Sequence, residues 1–291
     1  MSEENIEIPH IGFGTFIGNE HNKLNESQRK QTTINSIIIA LQTGYRIIDS
    51  SINYNNYECV GEAIRRSGIP RKEIYLICKG SGNKQEIDDS IVKIFNCRKQ
   101  DIGKGYNYID LYLIHHPVFN EEIGFENWNI LKQQKDEETV LNIGLSNVYI
   151  NQLNKLKELV DDKRIIMPHV LEIEIHIYCQ EKETVDWCDE NNVIVIAQSP
   201  LGYANIGMLL DISEVKEIAQ KYQITESQLL LAYTINRDII PIPSSRSLKH
   251  IEENFEALNI KLEEEDMIKL ESLNTNLPLT ETAQNAKDRD Q

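Results

Sequence analysis

The chain has 291 residues and 33.6 kDa, with 40% hydrophobic and 26% charged residues, the composition of an ordinary globular protein. Its 30 basic against 46 acidic residues leave a formal net charge of −16, which speaks against nucleic acid and polybasic membrane binding but leaves room for a local pocket for one phosphate. No apolar run reaches the ~18 residues of a membrane span, the acidic start Met1-Ser-Glu-Glu-Asn lacks a secretory signal, and five cysteines without a C-x-x-C pair fit reduced thiols, so the expected location is cytoplasmic.

Short β-branched and aliphatic runs alternate with helical patterns. Residues 11–16 form the first strand-like run, and a helix follows on Ile34, Ile37, Ile38 and Leu41, with Gly44 as its stop. A second run covers 45–51, and a helix over 58–67 ends at Gly68. The third run is 74–79. Residues 99–107, rich in polar residues and Gly, read as a lengthened loop before the fourth run, 108–115. The fifth, 140–146, precedes a helix on Tyr149, Leu153, Leu156 and Val160. Runs six and seven cover 170–176 and 193–199, and Val215, Ile218, Ala219 and Tyr222 mark the next helix. The eighth run, 239–243, leads to a helix on Ile251, Phe255 and Leu258 and an extra one over 262–273, whose acids cluster in the first turn.

Runs such as Ile194-Val-Ile-Ala are apolar throughout, as in strands buried on both faces of a parallel sheet. Eight of them alternating with helices predict an α/β fold, a single-domain (β/α)8 TIM barrel over residues 1–273, with a polar, loosely held C-terminal tail over 274–291. The rival, a doubly wound open sheet, prefers a Gly-rich turn after the first strand, and Ile11-Gly-Phe-Gly-Thr-Phe contains no G-x-G-x-x-G.

In such a barrel the chemistry collects where strands end at the C-terminal face. The second run ends near Asp49, with Tyr54 just beyond. The third closes on Lys79 after Ile74-Tyr-Leu-Ile-Cys, and the fourth on His115 after Leu111-Tyr-Leu-Ile. A lysine closing an apolar run should be paired or functional. Together these groups suit delivery of a proton to a carbonyl reduced by hydride. A tyrosine, with an ordinary pKa of ~10, is a poor acid near neutrality. An adjacent ammonium stabilises its phenolate, and a carboxylate holds that ammonium. Tyr54 is therefore expected to be the acid, Lys79 its tuner, Asp49 the partner of Lys79, and a neutral His115 the group that orients the carbonyl.

Four segments carry a resemblance: Gly44-Tyr-Arg-Ile-Ile-Asp49 with Tyr54 and Val60-Gly61; Asp110-Leu-Tyr-Leu-Ile-His115-His-Pro117; Ile143-Gly-Leu-Ser146-Asn147; and Gln198-Ser-Pro-Leu-Gly202. They resemble the aldo-keto reductases. Ile8-Pro-His-Ile-Gly-Phe-Gly-Thr-Phe and Ile240-Pro-Ile-Pro-Ser-Ser, with Glu253-Asn254, resemble that family's first and eighth strands. The resemblance implies a (β/α)8 barrel without a Rossmann fold, a nicotinamide cofactor extended across the C-terminal face, a small-molecule carbonyl substrate, no bound metal and a monomer. Asp49, Tyr54, Lys79 and His115 match the family's catalytic tetrad one for one.

The same resemblance implies the cofactor contacts. Gly14 and Thr15 lie by the first strand, and Asp49 is expected among the cofactor contacts. Ser146 and Asn147 match the residues that hydrogen-bond the carboxamide, with Glu172 and Gln198 beside them. Ser199, Leu201 and Gly202 match the pyrophosphate-side loop, and Ser244, Ser245, Arg246, His250, Glu253 and Asn254 cover the adenosine and 2′-phosphate region. Phe16, Tyr54, His115 and His116, with the residues after His115 and the tail, are expected to form the substrate pocket.

Several positions depart from the family. Glu172 stands where Gln is usual; a carboxylate accepts from the carboxamide NH2 but cannot donate to its oxygen, and beside a cationic ring it favours the oxidised form. Gln198 replaces a stacking aromatic, Leu171 an Asn, His116 and Phe16 two Trp residues, and Tyr57 a Glu. Ser244 and His250 replace two cations at the 2′-phosphate site. NADPH remains the expected cofactor, with NADH possible, because serines and Arg246 still hold a phosphate. These departures motivate an alternative to the reductase, a nicotinamide-cofactor-binding regulatory or interaction protein on the same barrel. Metal catalysis is the weakest reading: neighbours on a strand face opposite ways, which would keep His115 and His116 apart, and His169 and His176 read as satisfied structural histidines.

Overall fold

The structure is a computed structural model and describes residues 10–16, 24–117 and 123–290. Ile8 and Pro9 of the first-strand motif, and residues 118–122 of the expected pocket wall, lie outside the described residues.

The elements follow the expected alternation. Strand β1 (Gly12–Gly14) leads to helix α1 (Glu26–Thr43), β2 (Ile47–Asp49) to α2 (Tyr57–Ser67), and β3 (Tyr75–Gly80) to α3 (Lys84–Phe95). Then come β4 (Ile109–Ile114) with α4 (Ile123–Asp136), β5 (Val140–Ser146) with α5 (Ile150–Asp161), and β6 (Val170–Glu174) with α6 (Lys182–Glu190). Strand β7 (Ile194–Gln198) precedes three helices, α7 (Ile206–Leu210), α8 (Ser213–Tyr222) and α9 (Glu226–Ile235). Strand β8 (Ile240–Pro241) is followed by α10 (Leu248–Glu256), α11 (Glu264–Glu271) and α12 (Glu281–Asp290).

The eight strands are parallel and adjacent in chain order. Gly14 N donates to Pro243 O at 3.0 Å, joining the first strand to the segment after the last. This is the expected single-domain (β/α)8 barrel. Each run read as a strand corresponds to one; β5 coincides with its run, β3 is its run shifted by one residue, and the others are shorter by one or two residues at one or both ends. The stretch 99–107 is a loop with one 3-10 turn (Lys99–Asp101), as expected.

Period-two alternation gives the barrel an inside and an outside. Ile47, Tyr75, Ile77, Leu111, Leu113, Val170, Ile196, Ile240 and Ile242 form one buried cluster. Outward residues such as Ile48, Leu76, Cys78 and Tyr112 pack with Ile37, Leu41, Val60, Ile87 and Ile91 on the helices. Gly44 takes φ 127° after α1 and Gly68 takes φ 77° after α2, so both helices end on backbone that a side chain would strain.

Two expectations are corrected. His115 and His116 follow β4 in a bend, where strand alternation no longer holds, and their rings stack at 4.2 Å and 17° instead of pointing to opposite faces. The tail is ordered by specific contacts. Ala283 and Ala286 are buried, Lys287 pairs with Glu181, and Leu277 N donates to Tyr178 O at 3.0 Å. Apolar count alone missed this, because two alanines, an ion pair and a few hydrogen bonds make the attachment. Among the described residues, no helix is long and apolar enough to cross a membrane.

Candidate active site

The inward positions at the C-terminal end of the barrel follow directly from the apolar layer beneath. Two residues after Ile47 comes Asp49; after Ile77, Lys79; after Val170, Glu172; after Ile196, Gln198; His115 lies in the bend just past β4. Period two therefore stacks a polar layer on an apolar one. Asp49 is 2% exposed, and Lys79 and Glu172 are fully buried.

Lys79 Nζ donates to Asp49 Oδ1 at 2.6 Å, to Asp49 Oδ2 at 2.7 Å and to Glu172 Oε1 at 2.7 Å. The expected partner is present, and a second carboxylate shares the ammonium. Burial pushes the Asp49 carboxyl up to about 7, and the Glu172 charge adds to the rise against the pull of Lys79. Burial lowers the Lys79 pKa, but the surrounding negative charges outweigh it and hold the ammonium well above its ordinary range.

Tyr54 sits at the end of a 3-10 turn (Ile52–Tyr54) whose N-cap, Ser51, accepts from Asn53 N at 3.3 Å. Asn55, at φ 51°, takes the left-handed conformation that turns the chain into α2. Lys79 Nζ lies 5.7 Å from the Tyr54 ring centre. The ammonium draws the phenol pKa down as expected, but burial outweighs it and Asp49 and Glu172 add to the rise, so the net shift is upward. Tyr54 is thus a protonated donor at neutral pH.

His115 lies 6.3 Å from the Tyr54 ring, edge to face. Its Nδ1 meets Ser51 Oγ at 3.1 Å and Asn53 Nδ2 at 3.4 Å. The Asn53 amide nitrogen can only donate, which favours Nδ1 as acceptor and leaves the proton on Nε2. Burial, Lys79 and His116 lower the His115 pKa to about 2. It is therefore neutral, as expected of a carbonyl-orienting group.

Two adjoining cavities open over these residues. The inner one, ≈ 170 Å³, is lined by Gly14, Phe16, Asp49, Tyr54, Glu172, Gln198, Ser199, Leu201 and Ser244, among others. The outer, ≈ 450 Å³, is lined by Phe16, Tyr54, His115, His116, Gln198 and Ser199, with Asn53, Tyr203, Asn205 and the tail residues Leu279, Thr280 and Thr282. The four residues expected in the substrate pocket thus meet in one space. The rings of Tyr54, Phe16 and Tyr203 form a strip, at 4.9 Å and 5.7 Å.

The remaining residues divide. Thr15 N donates to Asp49 O at 2.9 Å beside the inner cavity. Ser146 and Asn147 are buried behind its wall, and Asn147 is engaged on both sides: Nδ2 donates to His115 O at 2.9 Å and to Ser146 Oγ at 3.0 Å, and Oδ1 accepts from Gln198 Nε2 at 2.7 Å. Gln198, in the place of a stacking aromatic, therefore braces Asn147. Gly202 turns the β7 loop at φ 75°. Ser244 borders the inner cavity, and Ser245 accepts from Ser247 N at 3.1 Å where the chain enters α10. Arg246 and His250 flank that helix start, Lys249 engages Glu253 at 3.4 Å, and Asn254 is buried.

A nicotinamide group fits the inner cavity on two observations. Glu172 Oε2 is buried without a hydrogen-bond partner, so it offers an acceptor to an amide NH2. Gly14 lines the same cavity where the first strand packs closely on the segment after the last, and a Cβ there would stand 3.0 Å from Ile242 O, so only glycine keeps this part of the wall clear.

Reading motifs alone missed several residues. Asn56 receives a bond from Ser50 Oγ at 2.7 Å and donates to Thr15 Oγ1 at 3.0 Å, tying together the loops after β1 and β2. Glu174 accepts from His176 Nε2 at 2.8 Å, from Leu279 N at 2.5 Å and from Thr280, holding the tail over the outer cavity. The two acids spaced two apart, Glu172 and Glu174, on an otherwise apolar strand were the available signal. His169 Nδ1 has a partner in Ile143 O at 3.1 Å.

Comparison with known proteins gives a concordant result. The family model described as Aldo/keto reductase family matches residues 10–275. The chain is 30% identical to 9,11-endoperoxide prostaglandin H2 reductase of Trypanosoma cruzi over 92% of its own length and 89% of that protein. It is 30% identical to a methylglyoxal reductase of Escherichia coli O157:H7, over 93% and 95% of the two chains. The crystal structure of an aldo-keto reductase from a Medee basin deep-sea metagenome library superposes with a TM-score of 0.81 and 31% identity, covering 94% of each chain.

Proposed function

The chain belongs to the aldo/keto reductase family and is a nicotinamide-dependent oxidoreductase of carbonyl compounds; we propose that Tyr54, Lys79, Asp49 and His115 carry that reduction. When bound, the cofactor supplies the hydride. The chain's own residues do the rest. His115 Nε2–H donates to the carbonyl oxygen and fixes its direction, while the Tyr54 hydroxyl gives its proton to the oxygen as negative charge builds there. Lys79 stabilises the phenolate left behind, and Asp49 keeps the ammonium in place through two hydrogen bonds. The observation that carries this reading is the buried Asp49–Lys79 pair next to Tyr54, which lines the outer cavity together with a neutral His115.

The substrate we propose is a small polar aldehyde or α-dicarbonyl. The outer cavity supports this with Asn53, His116, Gln198, Asn205, Thr280 and Thr282 around the aromatic strip. The cofactor is NADPH. Ser244, Ser245 and Arg246 at the start of α10 would hold the 2′-phosphate, Ser199, Leu201 and Gly202 the pyrophosphate side, and Glu172, Ser146 and Asn147 the carboxamide end. Cytoplasmic residence is supported by five cysteines that are all free thiols.

Turnover of small aldehydes, followed by loss of the reduced nicotinamide absorbance, tests the assignment. Tyr54→Phe should lower turnover on the order of a hundred- to ten-thousand-fold, with cofactor affinity unchanged. A variant that turns over like the wild type would place the proton donor elsewhere.

A further inference from the structure

When Asp49 is ionised, the three buried charges beside the inner cavity do not balance. Asp49 and Glu172 are two carboxylates, and Lys79 is one ammonium. All three N–H bonds of Lys79 are spent, two on Asp49 and one on Glu172 Oε1. His115 contributes no charge. No described residue lining the inner cavity is cationic. Glu172 Oε2 is left buried and unpartnered at the wall of that same cavity. A buried negative charge without a partner is costly and is relieved by a proton or a cation. Glu172 lines the inner cavity, so a cation bound there would lie beside this charge.

We propose that Glu172 selects the charge state of the nicotinamide ring, favouring the cationic oxidised cofactor over the neutral reduced one through the free carboxylate oxygen Oε2. The inference rests on the reading that this cavity holds the nicotinamide. The two redox forms share every other contact class and differ at the ring by one positive charge, so one carboxylate in a water-poor site separates them. The carboxamide NH2 supplies the donor that Oε2 lacks, in both forms. The amide group and the charge are thus read by the same oxygen.

Binding, not turnover, tests this. Dissociation constants for NADP+ and NADPH, and for NAD+ and NADH, are measured by calorimetry on the wild type and on Glu172→Gln, which keeps the shape and an acceptor but removes the charge. The expected result is that the variant loses about tenfold or more in affinity for the oxidised form relative to the reduced one. A ratio of oxidised to reduced affinity unchanged by the substitution overturns the proposal. Binding of neither redox form to the folded wild type would instead overturn the cofactor reading on which it rests.

Should Glu172→Gln fail to fold, the wild type decides with an analogue of NADP+ carrying a ring carboxylate in place of the carboxamide. It offers no NH2 and adds a negative charge, so it should bind about tenfold or more weakly than NADP+. Equal binding would show that Oε2 does not read the ring, and would overturn the proposal.

Discussion

Lys79 shows how one buried residue couples distant parts of the chain. It touches Asp49, 30 positions away, and Glu172, 93 positions away, and both carboxylates raise its pKa against the effect of burial. Asp49 rises from 3.8 to about 7 in the fold, so folding takes up a proton there; that stabilisation is present below pH 3.8 and is lost as pH rises to 7. His115 falls from 6.5 to about 2, so folding releases a proton; its stabilisation is present above pH 6.5 and is lost on acidification. The two oppose each other between pH 3.8 and 6.5. Glu172→Gln removes a charge that raises Asp49, while His115 is lowered by burial, Lys79 and His116. The variant's melting temperature should therefore fall more steeply than the wild type's between pH 6.5 and pH 3.8; parallel profiles would separate Asp49 from Glu172. At this scale Asp49, Lys79 and His115 were legible because each closes an apolar run. The Lys79–Glu172 bond was not, since it exists only once β3 and β6 face each other across the closed barrel.

Helix ends and helix packing differ in how openly the chain states them. The stops at Gly44 and Gly68 could be read because left-handed backbone favours glycine. Helix α9 could not: Gln228 through Ile235 are all buried, so it has no polar face and no amphipathic period to detect. Gly61 makes a third case. A Cβ there would stand 1.7 Å from Ile94 O and 2.6 Å from Ile94 C, so α2 and the end of α3 touch through backbone. Gly61→Ala gains up to about 1 kcal/mol of helix propensity, but the clash is with backbone that cannot rotate away, and overpacking of this kind costs about 1–3 kcal/mol or more. The clash wins. Chemical denaturation should show a net loss of stability, and a variant as stable as the wild type would mean the helices separate without cost.

For the molecule as a whole, the tail closes the site that the barrel opens. Glu174 holds Leu279 and Thr280, and Asn205 Nδ2 donates to Leu279 O at 3.0 Å, so residues of α12's approach become a wall of the outer cavity. The buried clusters of the barrel draw almost nothing from it; Ala286 and the partly buried Leu279 are its contributions. Truncation after Asn276 should leave a folded barrel with unchanged cofactor affinity, while KM for the carbonyl substrate rises several-fold and kcat changes less. Loss of cofactor binding in a folded truncation would show that the tail supports the inner cavity as well.

The chain by itself determined the order of strands and helices, the inward and outward faces, and the polar residues that close the strands. These follow from local periodicity, and period two carries a polar residue to the barrel end wherever it succeeds an apolar one. Tertiary structure decided what those residues meet: the second carboxylate on Lys79, the bracing of Asn147 by Gln198, the stacked histidines beyond β4, and the tail seated on Glu174. All but the stacked histidines are contacts between segments far apart in the chain, and distance along a sequence says nothing of distance in space until the sheet has closed.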